Sequence, residues 1–180
     1  MLEEQELIQA LKNKSTQESA FRSLMSLYKE RLYWHIRKIV ISHDDADDVL
    51  QNTFVKVYRN IDNFKEDSKI YSWMYRIATN ESITFINKRA KQKAVDITEY
   101  QQQLADSLHA DSFYNGSEIQ ILLQKAIATL PQKQQLVFNM KYFDEMKYSE
   151  ISEILDTSIG ALKASYFHAV KKIEKFVTSN

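Results

Sequence analysis

Two glycines, Gly116 and Gly160, and one proline, Pro131, are the only strong backbone breakers in 180 residues. Tight turns draw on glycine, proline and asparagine, and a sheet needs many tight turns. A chain this poor in them predicts an all-α fold of long helices joined by short connections. The absence of cysteine excludes disulfides and thiolate metal sites. No apolar run is long enough to cross a bilayer, so direct membrane insertion is not expected. The opening MLEEQELIQALKN is acidic and amphipathic, unlike a secretory signal, and a cytoplasmic protein is expected.

Apolar residues recur at three- and four-residue steps through four successive segments. The first helix is predicted from Glu3 to about Lys12. A second follows a cap at Ser15 or Thr16, carries Phe21, Leu24, Met25, Tyr28, Leu32 and Ile36, and ends near Ile41. The third begins at Asp44 and Asp45, where acids suit the positive end of the helix dipole; its stripe is Val49, Phe54, Val57 and Ile61. The fourth starts near Ser68 and carries Ile70, Trp73, Met74, Ile77, Ile83 and Ile86. From Ala94 to Gly116 the pattern degrades into glutamines and small polar residues, which predicts a flexible linker with at most a helical turn. Four more helices are expected beyond it: one from Ser117 with Ile119, Leu122, Leu123, Ile127 and Leu130 as its apolar residues, Gln132 to Phe143, Tyr148 to Leu155, and a last one after Ser158. The chain is thus expected to divide into residues 1–93, a linker at 94–116, and residues 117–180.

The net charge is zero, but its distribution is uneven. Lys88, Arg89, Lys91 and Lys93 cluster before the linker, the linker holds no Lys or Arg, and Lys163, Lys171 and Lys172 follow near the end. The segment SWMYRIATNESITFINKR combines aromatics, a polar patch and basic residues within about five helical turns. Such a combination suits base stacking, base-edge reading and phosphate contact. The patch Asn80, Glu81, Ser82 interrupts the apolar period, as a short loop between two helices would. The helix, tight connection and longer helix between Tyr148 and Phe176 have helix-turn-helix spacing, and the second helix leaves Lys163, Ser165, His168, Lys171 and Lys172 off its apolar stripe.

DDADDVLQNTFVKVYRNIDNFKEDSKIYSWMYRIATNESITFINKRAKQ and LPQKQQLVFNMKYFDEMKYSEISEILDTSIGALKASYFHAVKKIEKF, in this order, resemble the two conserved domains of the extracytoplasmic-function group of bacterial sigma factors. The resemblance implies a protein that gives core RNA polymerase its promoter specificity, with no covalent chemistry and no cofactor. It implies that Asp45, Asp48, Gln51, Val55 and Arg59 meet the clamp helices of the polymerase large subunit. It implies that Phe64 and the patch Asn80, Glu81, Ser82 capture a flipped base of the minus-ten element. Tyr71 and Tyr75 match the aromatic melting segment, while Trp73, in step with Ile77, reads as core. Lys88, Arg89, Lys91 and Lys93 would hold phosphates, and Lys163, Ser165 and His168 would read the minus-thirty-five element. Where relatives often carry Thr-Val-Lys-Ser-Arg, this chain has Ala161 to Ser165, so Ser165 stands in place of an arginine that could bind guanine bidentately. Core RNA polymerase and promoter DNA are the implied partners; an anti-sigma factor is admitted, though no residue fixes one.

Two other readings compete. A stand-alone helix-turn-helix repressor would bind duplex DNA tightly without polymerase. The Asp44, Asp45, Asp48 pattern resembles the magnesium-binding motif of helical isoprenoid synthases, but no second Asp-rich motif accompanies it, and His35, His43, His109 and His168 lack ligand spacing.

Overall fold

The structure, a computed structural model, describes residues 4–111 and 116–179. Among them there is no strand. The helices are α1 (Glu4–Lys12), α2 (Gln17–Val40), α3 (His43–Asn60), α4 (Ile70–Gln92), α5 (Ile97–Asp106), α6 (Glu118–Ala128), α7 (Gln132–Phe138), α8 (Tyr148–Leu155) and α9 (Ile159–Thr178).

α2, α3 and α4 pack on one another, and the expected stripes supply their core: Leu24, Leu32, Ile36, Val49, Phe54, Val57, Ile70 and Met74 are all buried. α3 is capped by Ser42, whose hydroxyl accepts from the Asp45 amide. α2 stops at Ile41, which adopts φ 66°, a conformation costly for a β-branched residue. Two contacts hold it there. Its side chain is buried against Ala105, Leu108 and Ala128, and Gln101 donates to the Ile39 carbonyl at 3.1 Å.

Residues 80–84, expected to form a short loop, lie inside an unbroken α4. The reason is local. Thr79 donates to the Tyr75 carbonyl and Ser82 to the Ala78 carbonyl, each at 2.7 Å, so these polar side chains are satisfied one turn back along the helix.

The segment expected to be a linker with at most a helical turn contains the ten-residue α5, capped by Asp96 through the Glu99 amide at 2.8 Å. Residues 112–115 of the expected linker lie outside the described residues. The inward face of α5 is partly polar. Buried Gln101 accepts from Gln135 at 2.9 Å, and Gln135 also donates to the Leu130 carbonyl at 3.0 Å. An amide-centred junction conceals the apolar period that would announce a helix.

In the C-terminal half, α6, α7 and α9 enclose Ala126, Ile127, Leu130, Phe138, Ala169 and Ile173. Ser117 and Gln120 form a reciprocal capping box at the start of α6. Ile119, among the apolar residues of α6, is 76 % exposed. α7 continues into a π-helical turn, Asn139–Phe143. α8 ends on Asp156 in the left-handed region (φ 49°, ψ 52°), and Ser158 caps α9 by accepting from the Ala161 amide. That αL residue makes the turn between α8 and α9 tight. The two halves share apolar contact: the cluster centred on α2–α4 extends to Val137, Met140, Met146, Ile151, Ile154 and Leu162.

Candidate nucleic-acid and partner interfaces

α9 buries Leu162, Ala169 and Ile173 and exposes the opposite side. Gly160, Lys163, Ala164, Phe167, His168 and Lys171 recur at three- and four-residue steps and are all exposed, so they share one face. Gly160 has open space where a Cβ would stand. Lys163, His168, Lys171 and Lys172 therefore project as the sequence suggested, whereas Ser165 is only half-exposed. Phe167, 58 % exposed, was missed by the sequence reading. Its sequence signal was a large apolar residue out of step with the buried stripe. An exposed ring beside Ala164, flanked by lysines, suits contact with thymine methyl groups and phosphates in a major groove.

On α4 the candidate residues separate. Asn80 is exposed, and with Arg76, Thr79 and Ile83 it lines a crevice of about 460 Å³ whose other wall is Gln132, Lys133, Leu136, Ile154, Leu155, Asp156 and Thr157. Glu81 is ion-paired with Lys56, and Ser82 is fully buried. Phe64 is 2 % exposed, packs its ring 5.2 Å from Trp73, and does not line the crevice. The expected division between the aromatics of α4 is reversed at two positions: Tyr75 is 1 % exposed, with its ring 4.8 Å from the His35 ring, while Trp73 is half-buried. Tyr75 lies on the side of α4 that meets α2, and its burial, with the Asp144 carboxylate nearby, pushes its hydroxyl pKa up. Tyr71 is half-buried; burial, then a hydrogen bond to Glu150, raises its pKa as well.

Lys88, Arg89, Lys91 and Lys93 are all exposed at the C-terminal end of α4, where cations also suit the helix dipole. Arg89 pairs with Asp45 at 3.1 Å, and the Lys93 ammonium stands 5.0 Å over the Tyr100 ring.

The α3 face has a feature that spacing did not reveal. Gln51, Val55 and Arg59, with Phe21, Met25, Leu50, Phe54 and Tyr58, line an open groove of about 620 Å³ between α2 and α3. Val55 and Tyr58 are 46 % and 42 % exposed. Asp48 is exposed, and Asp45 half-buried, one and two turns earlier on α3. An apolar floor with Lys29, Asp47 and Arg59 at its edges fits an amphipathic helix from a partner.

Among the described residues, no group of three or more His, Asp or Glu side chains is placed to hold a metal ion, and no helix is long and apolar enough to cross a membrane.

Comparison with known proteins bears on the family and the fold. The family profile for Sigma-70 region 2 matches residues 24–92, and that for Sigma-70, region 4 matches residues 120–173. The chain is 30 % identical to the ECF RNA polymerase sigma factor SigW of Bacillus subtilis, over 90 % of this chain and 91 % of the relative. It is 27 % identical to the ECF RNA polymerase sigma-E factor of Escherichia coli, over 89 % of this chain and 87 % of that one. Among solved structures, CnrH in complex with the cytosolic domain of CnrY shares the fold with a TM-score of 0.73 at 20 % identity, covering 98 % of each chain. The sigma factor RpoE in complex with the anti-sigma factor NepR, from Bartonella quintana, follows at 0.67 and 19 % identity, covering 88 % of this chain and 96 % of that one.

Proposed function

This chain belongs to the extracytoplasmic-function group of the sigma-70 family, and from that premise we propose that it directs core RNA polymerase to promoters through three of its surfaces. The helix-turn-helix of residues 117–180 reads the minus-thirty-five element through Lys163, Phe167 and His168, with Lys171 and Lys172 on phosphates. Residues 1–93 carry the minus-ten surface on α4 and the polymerase surface on α3. Residues 94–116 join them.

The single observation that carries this reading is the α9 face, where bases and phosphates have matching side chains on a helix held by a tight turn. The groove between α2 and α3 supports the polymerase contact, since Val55 and Tyr58 on it are exposed beside apolar Phe21, Met25 and Phe54. For strand opening, Asn80 is the favoured base-edge contact, because it is exposed on the crevice wall whereas Ser82 faces inward. Unpairing and unstacking cost a few kcal/mol for each base taken out, and contacts made only to the freed base offset part of that. Lys88, Lys91 and Lys93 add backbone attraction. An anti-sigma factor is a further proposed partner class, supported by the RpoE relative solved with NepR.

Co-purification with core RNA polymerase tests the reading. A stoichiometric complex is expected, weakened by Asp48→Lys together with Val55→Glu while helicity stays unchanged. Wild-type recovery of core by that variant would move the interface elsewhere.

A further inference from the structure

α4 and α8 pack together, so the minus-ten face of the proposed function is not open to a strand of DNA in this conformation. Arg76 donates to the Glu153 carbonyl, Lys69 lies 3.8 Å from Glu150, and Asn80 faces the crevice walled by α7 and the end of α8. The α9 reading face stays exposed. One of the two DNA surfaces is therefore covered by the domain that carries the other.

The polar closure of this arrangement centres on Asp144, in the turn after the π-helical segment. Its side chain is only 7 % exposed. One carboxylate oxygen accepts from Lys38 at 2.5 Å and the other lies 3.1 Å from His35 Nδ1. Both partners are on α2, in the other half of the chain. His35 is fully buried, and its second nitrogen, Nε2, lies 2.8 Å from the Thr79 hydroxyl. That hydroxyl spends its proton on the Tyr75 carbonyl, so it accepts from Nε2–H. With Nδ1 against the Asp144 carboxylate, the ring bridges an acceptor on α4 and a carboxylate of the other domain. Buried charges are held in place by their partners, and removing one partner is far costlier than the net worth of the pair.

We propose that Asp144, gripping His35 and Lys38, is a clasp that holds the isolated protein shut over its own minus-ten face, and that core polymerase binds a form in which the clasp is released. This rests on the assignment of the α4 face under the proposed function. A closed population lowers apparent affinity for core by the fraction that is open, so weakening the clasp tightens core binding.

The full chain contains no cysteine, so Arg22→Cys and Glu174→Cys, both at exposed positions, allow donor and acceptor dyes to be placed one on each half. Energy transfer is then measured with and without core RNA polymerase. The expected result is high transfer in the free protein and a drop on adding core. Asp144→Ala should lower transfer before core is added and bind core about tenfold more tightly or better. Lys38→Met should act in the same direction, and adding it to Asp144→Ala should do little more. Circular dichroism reports whether each variant keeps its helices; if Asp144→Ala loses helicity, Lys38→Met decides alone. Unchanged transfer in a folded clasp variant, or unchanged transfer in the wild type once core is bound, overturns the clasp. Weaker core binding by Asp144→Ala also overturns it. Failure of the wild type to bind core at all would instead count against the proposed function, and dye anisotropy separates that case.

Discussion

Arg89 of α4 lies 3.1 Å from Asp45 of α3, which ties the basic end of one candidate surface to the acidic start of another. Arg89 is 44 % exposed, so the pair is screened and contributes at most about 1 kcal/mol to stability. Asp45→Ala should therefore shift the unfolding midpoint little in urea titrations. A loss of core binding by Asp45→Ala that exceeds this small effect would report the polymerase interface rather than the fold.

The groove between α2 and α3 gives a sharper contrast. Val55 is exposed on it, whereas Leu24 is a buried residue of α2. Val55→Ala should change stability by less than about 0.5 kcal/mol, and Leu24→Ala should cost about 2–5 kcal/mol. Affinity for core, measured by fluorescence anisotropy, should fall for Val55→Glu and stay at the wild-type value for a conservative Leu24→Met. Equal core affinity for Val55→Glu and wild type would remove the groove from the interface.

On α9, Phe167→Ala and Lys163→Ala remove different contacts. Lys163→Ala should cost roughly 1 kcal/mol or more in binding at the upstream promoter element. The Phe167→Ala loss should depend on thymines, because the ring meets methyl groups, and should vanish when the upstream thymines are replaced by uracils. Promoter binding by polymerase holoenzyme, measured on the two templates, distinguishes the contacts. A Phe167→Ala loss of the same size on both templates would exclude methyl recognition.

Acid should act on Asp144. Burial alone would raise its pKa, but the hydrogen bond and charge of His35, with those of Lys38, hold it below the ordinary carboxylate value of 3.8. A depressed folded-state pKa gives stability that is present above the ordinary value and lost as pH falls through the lowered one. Domain closure, followed by energy transfer, should therefore hold down to about pH 4 and fail below it. Asp144→Asn should lack that acid step. A step of the same size in Asp144→Asn would assign it to other carboxylates.

Helices α1 to α3 and α6 to α9 were legible because their apolar residues recur with the helical period, and α3, α6 and α9 also begin on serine caps. α4 was legible at its two ends. Its middle was taken for a loop because Thr79 and Ser82 are polar, although both are satisfied by carbonyls four residues back. α5 escaped because Gln101 and Gln135 put amides where apolar residues were sought. The lysines of α9 could be placed from their spacing, but the groove beside Val55 could not, since Phe21 and Met25 come from another helix. Nor could the closure of the two halves: His35 and Asp144 are 109 residues apart, and no local pattern pairs them.

The account depends above all on promoter direction by core enzyme, and sequencing the 5′ ends of transcripts made in vitro from genomic DNA, by core polymerase with and without this protein, tests it most directly. The predicted result is a discrete set of new start sites that share two sequence blocks, near minus ten and minus thirty-five, with the upstream preference altered by Lys163→Ala. The same start sites with and without the protein would contradict it.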